Sequence, residues 1–141
     1  MSWLLDTCVV SELVRPRPKA LVVSWVLERD EDELFLSVIT IGELEKGIAK
    51  LPDSPKRVAL ELWVRRELAD RFRGRLLAID SGVAARWGAL VGASEARGQP
   101  LPVIDSLIAA TSVQQDLTVV TRNTDDLERC GARCFNPWVG K

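Results

Sequence analysis

The sequence contains no histidine and only three cysteines, Cys8, Cys130 and Cys134. Without histidine, Ser-His-Asp and Cys-His nucleophilic catalysis and the histidine-containing zinc hydrolases are excluded. The cysteines have no zinc-ligand spacing, and their odd number indicates reduced thiols rather than a disulfide framework. Any catalysis by this chain therefore has to use carboxylate, amide, hydroxyl, lysine or arginine groups.

Long apolar runs and an excess of one sign of charge are also missing. No apolar run approaches the length of a membrane span, and no basic region leads into an apolar one at the N-terminus. We therefore expect a cytoplasmic protein without a membrane segment. With 19 basic and 20 acidic residues the formal net charge is -1, so general affinity for nucleic acid is not predicted.

Glycine-rich turns that hold phosphates are a further absence. Gly88, Gly92 and Gly98 fall within or at the end of a predicted helix, not between a strand and a helix. A nucleotide cofactor is therefore not expected.

Apolar strand patterns alternate with helical patterns along the 141 residues, of which 47% are hydrophobic. The strands are predicted at 3–7, 34–37, 76–79, 118–121 and 132–135. This alternation favours an α/β fold in which a mainly parallel sheet of four to five strands is covered by helices on both faces. The length fits a single domain over residues 1–141, with a core that needs neither disulfides nor structural metal.

Four candidate site positions follow strands or open helices. They are Asp6, Glu43, Asp105 and Asn123, the last together with its neighbour Asp126. Each position also has an ordinary structural explanation. Asp6 and Asn123 fit helix N-caps, Thr40 and Glu43 have the spacing of a capping box in the first helical turn, and Asp105 can complement a helix dipole.

The four positions also have a functional interpretation when their places in the predicted sheet are considered together. The carboxyl ends of parallel strands lie at one edge of a sheet, so side chains that follow them can converge on one crevice. Converging carboxylates repel one another unless a cation lies between them. Oxygen donors without histidine or thiolate suit Mg²⁺ or Mn²⁺. Such an ion lowers the pKa of bound water and stabilises charge on a phosphate oxygen, which predicts metal-assisted phosphodiester hydrolysis.

Four segments of the sequence resemble PIN-domain ribonucleases. They are 4–12 (LLDTCVVSE), 37–44 (SVITIGEL), 105–111 (DSLIAAT) and 121–123 (TRN). A fifth segment, 135–138 (FNPW), resembles the closing segment of the VapC and FitB toxins of type II toxin–antitoxin systems. The resemblance covers essentially the whole chain. It implies a three-layer α/β/α sandwich, Mg²⁺- or Mn²⁺-dependent cleavage of RNA of the tRNA or rRNA class, homodimerisation, and inhibition by a cognate antitoxin.

By position, Asp6, Glu43 and Asp105 match the acidic metal ligands of that family. The fourth position departs from the pattern, because many members have aspartate where this chain has Asn123. Other members have asparagine there and an aspartate three residues later, as Asp126 is here. We expect Asn123 to be a weak, neutral ligand of the ion or to contact the ligands without contacting the ion. We expect Asp126 either to assist Asn123 or to cap the local helix.

Three further residues are candidates for substrate contact or for support of the ligands. The hydroxyls of Thr7 and Thr121 can hydrogen-bond the acidic groups or bound water, although either can be a simple cap. Arg122 can hold a substrate phosphate, and it can equally pair with Asp125 or Asp126.

Two other functions remain open from the sequence. One is an aspartyl-phosphate phosphatase similar to the haloacid dehalogenases, with Asp6 as nucleophile. Such an enzyme needs a second acid two residues later, where this chain has Cys8, and a properly placed lysine after the fourth strand, where this chain has none before Lys141. The other is a catalytically weak module that acts only through an antitoxin or a DNA-binding complex, an interpretation that Asn123 favours.

Overall fold

The computed structural model describes residues 1–140 and contains one five-stranded sheet in the order β3-β2-β1-β4-β5. The strands are β1 Trp3–Leu5, β2 Leu34–Ser37, β3 Leu76–Leu77, β4 Thr118–Val120 and β5 Cys134–Phe135. All four neighbouring pairs are parallel. The predicted α/β fold with a central parallel sheet is therefore confirmed.

Helices occupy the connections between the strands. They are α1 Thr7–Leu13, α2 Ala20–Leu27, α3 Val38–Ala49, α4 Pro55–Leu62, α5 Ala69–Arg71, α6 Ser81–Ala96, α7 Val103–Gln114 and α8 Thr124–Arg129. A 3₁₀ turn, Glu31–Glu33, precedes β2. Within residues 1–140, none of the helices combines the length and the apolar character needed to cross a bilayer.

The sheet has an apolar core on each face. Successive residues of a strand point to opposite faces, and β1 shows this clearly. Leu5 packs with Val9 of α1 and Val22 of α2, whereas Leu4 packs with Ile108 of α7 and Leu127 of α8. The chain is therefore an α/β/α sandwich, and α1 and α7 approach the central strands from opposite faces.

The helix that begins at Pro55 is not uniformly α-helical. Ser54 caps it, with its Oγ accepting a hydrogen bond from the Arg57 N–H at 3.2 Å. Between α4 and α5, however, Trp63–Leu68 forms a π-helix. This segment places Trp63 in the wall of an apolar groove formed with α1 and α3. π-Helical turns are uncommon and are often found at functional sites.

Strand order determines where polar side chains can converge. From β1 the chain adds β2 and then β3 on one side of the sheet, and it then returns to add β4 on the other side of β1. The direction in which strands are added therefore reverses between β1 and β4. Ligands of open α/β sheets bind at the carboxyl ends of strands at such a reversal. Asp6 follows β1 and Thr121 follows β4, and the Asp6 N–H donates to the Val120 carbonyl at 3.0 Å.

Candidate active site

Asp6 is held at the end of β1 by two hydrogen bonds. Its side chain is buried, with 8% of the residue exposed. Oδ1 accepts from the Thr7 N–H at 2.9 Å as the N-cap of α1, and Oδ2 accepts from the Thr121 hydroxyl at 2.8 Å. Burial raises the pKa of Asp6; the bonds from Thr121 and Thr7 oppose this, and the Glu43 charge adds to it. Asp6 is thus both a cap and one of the three acids, with Glu43 and Asp105, that mark the candidate crevice at the carboxyl edge of the sheet.

Glu43 lies in the second turn of α3, so its predicted place in the first turn is wrong. The capping box with Thr40 is also wrong, since the N-cap is Ser37, whose Oγ accepts from the Ile39 N–H at 3.0 Å. Instead, the Glu43 Oε1 accepts from the Thr7 hydroxyl at 2.6 Å. Thr7 Oγ1 is also 3.2 Å from Thr40 Oγ1. One hydroxyl therefore joins the first residue of α1 to the acid of α3.

Asp105 lies in the first turn of α7, as predicted, and its side chain is half-buried. Burial raises the pKa of Asp105, and the charges of Asp6, Asp126 and Glu43 raise it further. Asp126 lies in the first turn of α8 and pairs with Arg129. Asp126 does not cap its helix, and its charge contributes to the raised pKa of Asp105.

Asn123 occupies the N-cap position of α8, but its side chain makes no capping hydrogen bond. The prediction that Asn123 is a plain side-chain cap is therefore wrong. Its backbone N–H donates to Thr121 Oγ1 at 3.0 Å, and its amide is exposed. Thr121 thus connects the neutral fourth position to Asp6.

Cys8 also borders the crevice, although only its position two residues after Asp6 distinguished it in the sequence. Its Sγ lies 3.8 Å from Asp6 Oδ2 and 3.6 Å from Thr121 Oγ1. Burial raises the pKa of the Cys8 thiol, and the Asp6 charge raises it further. The thiol therefore stays protonated at neutral pH, which argues against thiolate chemistry.

The set of donors fits a hard cation that is bound partly through water. Among residues 1–140, no three aspartate, glutamate or cysteine side chains lie close enough together to enclose an ion on their own. Mg²⁺ commonly uses one or two carboxylates and completes its shell with water and phosphate oxygens. The Glu43 charge raises the pKa of both Asp6 and Asp105, and a cation would relieve this repulsion.

Thr121→Val should lower both stability and activity. Valine keeps the shape of the side chain but removes the hydroxyl that donates to Asp6 and accepts from the Asn123 N–H. We expect the free energy of unfolding to fall by about 1–3 kcal/mol and any metal-dependent activity to fall by about 10- to 100-fold. Thr121→Ser keeps both bonds and is the control in denaturation and activity assays. Equal values for the two variants would contradict a role for the hydroxyl.

Together, the fold and the crevice define an α/β/α sandwich with acidic side chains at the carboxyl edge of its central strands. The chain belongs to the PIN-domain family, whose profile, described as "PIN domain", matches residues 3–132.

Within that family, the chain is similar to toxins of the FitB and VapC type. It is 36% identical to Toxin FitB of Neisseria gonorrhoeae over 135 residues, which are 96% of this chain and 97% of that protein. It is 32% identical to VapC ribonuclease Y4jK of Sinorhizobium fredii, with 96% of each chain covered. The crystal structure of FitAcB from Neisseria gonorrhoeae matches with a TM-score of 0.89 at 36% identity, covering 96% of this chain and 98% of that one. The resemblance seen in the sequence is thus confirmed.

Proposed function

We propose that this PIN-domain toxin hydrolyses RNA phosphodiester bonds in a reaction that requires Mg²⁺ or Mn²⁺. The observation that carries the proposal is the position of Asp6 and Glu43 at the reversal between β1 and β4, where Thr121 donates to Asp6 at 2.8 Å and Thr7 donates to Glu43 at 2.6 Å. Asp105 lies near enough for the charges of both acids to raise its pKa. Similarity to a protein named a VapC ribonuclease supports RNA as the substrate. A haloacid-dehalogenase-like phosphatase is disfavoured by the family match.

Asp6, Glu43 and Asp105 would hold the ion, with Asn123 and Asp126 at its margin. When bound, Mg²⁺ or Mn²⁺ supplies a water of lowered pKa and neutralises charge on the phosphate. The residues of the chain hold the carboxylates in fixed positions. Thr7 and Thr121 orient two of the three carboxylates, at 2.6 Å from Glu43 and 2.8 Å from Asp6. Preorganised groups need no rearrangement when charge develops on the phosphate.

Asp105 contributes in a different way. Its half-buried carboxylate receives no hydrogen bond from the residues that the structure describes, and it is repelled by Asp6 and Glu43. It is therefore free to turn toward a cation or a coordinated water. Two fixed acids and one adjustable acid suit an ion whose shell is completed by a substrate.

We propose a cognate antitoxin as the partner that restrains this activity. Solved relatives include FitAB bound to a DNA fragment and the crystal structure of FitAcB. Both names describe a complex of two protein components. An apolar groove of 270 Å³ opens next to the crevice, and Thr7, Glu43, Leu44 and Trp63 are among its lining residues. An amphipathic segment with a cation near Glu43 would fit this groove. A homodimer, also implied by the family, remains part of the proposal.

Incubation of total cellular RNA with antitoxin-free protein tests the proposed activity. We expect discrete cleavage with Mg²⁺ or Mn²⁺, no cleavage in EDTA, and recovery when the metal is restored. Mapping of the cut sites would identify the RNA, and 5′-phosphate and 3′-hydroxyl ends are expected. Cleavage that persists in EDTA would contradict the metal requirement. Absence of cleavage by folded protein would instead favour a binding module that acts through its antitoxin.

A further inference from the structure

The C-terminal segment 135–138 holds an arginine beside the crevice. The guanidinium carbon of Arg122 lies 4.8 Å from the centroid of the Trp138 ring. Trp138 is 8% exposed and packs in the core shared with α1 and α2. The backbone N–H of Trp138 donates to Asn136 Oδ1 at 2.9 Å. A buried and anchored ring therefore fixes the position of an exposed cation.

The backbone of Arg122 forms part of the border of the crevice. Arg122 stands between Thr121, which bonds Asp6, and Asn123. Its N–H donates to Cys8 Sγ at 3.5 Å, and that sulfur lies 3.8 Å from Asp6 Oδ2. The side chain thus begins next to the acids and ends over the indole ring.

Arg122 has no carboxylate partner within residues 1–140. The expected alternative, pairing with Asp125 or Asp126, is wrong, because Asp126 pairs with Arg129 and the Arg122 guanidinium lies over Trp138. Most other arginines of the chain are engaged in ion pairs or hydrogen bonds, as Arg133 is with Asp116 at 2.9 Å.

The nearest acid along α1, Glu12, already has its own partners. Its buried carboxylate accepts from the Lys19 N–H at 2.8 Å and from Arg15 at 3.2 Å. The bond from Lys19 lowers the pKa of Glu12 most, and the charges of Arg15 and Arg122 lower it further. Glu12 therefore has hydrogen bonds from Lys19 and Arg15, and within residues 1–140 it forms none with Arg122.

We propose that Arg122, seated on Trp138, binds a backbone phosphate of the RNA next to the scissile bond. This inference rests on the proposed function. The acids of the crevice repel a polyanion, and the net charge of -1 offers no general attraction. A guanidinium that is held over a buried ring, and whose donors are not engaged by residues 1–140, can hold phosphate oxygens in a bidentate manner with little loss of side-chain freedom.

The test compares Arg122→Ala and Arg122→Lys with the wild type in steady-state cleavage at several salt concentrations. Loss of one phosphate contact should raise KM about tenfold with little change in kcat, and should reduce the slope of log affinity against log salt by about one. Lysine keeps the charge but not the planar fork, so an intermediate KM and the wild-type slope are expected. Arg133→Ala, which removes an exposed arginine paired with Asp116, should leave all values unchanged.

Affinity for labelled RNA in EDTA is measured in parallel for the same proteins. If the wild type fails to cleave, the proposed function fails, but a tenfold weaker binding by Arg122→Ala would still support the phosphate contact. If cleavage proceeds and Arg122→Ala has the wild-type KM, affinity and salt slope, the inference is overturned while the nuclease stands. A fall in kcat in both Arg122 variants, with unchanged KM and RNA affinity, would also overturn the inference, because it would show that Arg122 has a structural role.

Discussion

Asp6→Asn is expected to lower metal-dependent RNA cleavage by at least about 100-fold, the scale on which removal of one electrostatic group slows an enzyme. Asparagine keeps an oxygen that can accept from the Thr7 N–H at the start of α1. It removes the charge that would help to hold the cation. The rate of cleavage of an end-labelled RNA in Mg²⁺ measures the effect, and thermal unfolding verifies that the variant is folded.

Asp80→Asn is the matched control for that variant. Asp80 is the N-cap of α6, and its Oδ1 accepts from the Val83 N–H at 2.9 Å. The same chemical change is thus made at the same kind of helix position, away from the crevice, and activity should be retained. Wild-type rates for Asp6→Asn, or equal losses in both variants, would show that the carboxylate at position 6 acts only as a cap.

Asp105→Asn is expected to change activity and stability in opposite directions. Cleavage should fall by at least about 100-fold because an adjustable acid of the crevice is lost. Burial and the charges of Asp6, Asp126 and Glu43 raise the pKa of Asp105 above its ordinary value of 3.8. Ionisation of Asp105 therefore costs stability at neutral pH, and the metal-free variant should have a higher Tm than the metal-free wild type.

The pH dependence of this stabilisation has a defined sign. Below the ordinary pKa of 3.8, Asp105 is protonated in both the folded and the unfolded chain, so the variant should gain nothing there. The gain should appear as pH rises through the window between that value and the raised pKa of the folded protein. Asp125→Asn, an exposed residue of α8, is the control and should alter neither Tm nor activity. A lower Tm for Asp105→Asn in EDTA at pH 7 would contradict repulsion among the acids.

Local patterns were sufficient to predict all five strands, although four of them were predicted longer than they are, and the first was extended into Thr7, which begins α1. Residues 34–37 were predicted as a strand and form β2 with the same bounds. The N-cap expected at Asp6 and the place of Asp105 at the start of α7 are also confirmed. In each case, the signal and the structure depend on residues that are neighbours in sequence.

Glu43 was placed one turn too early because the start of α3 is ambiguous in sequence. Val38, Ile39 and Thr40 are β-branched residues, which favour continuation of the preceding strand. In the structure, Ser37 both ends β2 and caps α3, so the helix begins at Val38. Hydrogen bonding by Ser37 overrides the strand propensity of the residues that follow it.

The contacts that organise the site join residues far apart in the chain, and no local pattern reveals them. The Thr7–Glu43 bond spans 36 positions, and the Thr121–Asp6 bond spans 115. The seating of Arg122 on Trp138 likewise depends on β5 bringing the C-terminal segment back beside β4. Sequence identifies which acids are candidates, whereas strand order determines which side chains hold them.

Titration of Mn²⁺ into the antitoxin-free protein, followed by electron paramagnetic resonance, tests most directly whether Asp6, Glu43 and Asp105 form a cation site. Wild type and Asp80→Asn should bind Mn²⁺ with equal affinity, and Mg²⁺ should compete for the site. Asp6→Asn and Asp105→Asn should each bind at least about tenfold more weakly, since each removes a charged oxygen donor. Undiminished binding in both variants, or no binding by the wild type at millimolar Mn²⁺, would contradict the metal-dependent nuclease.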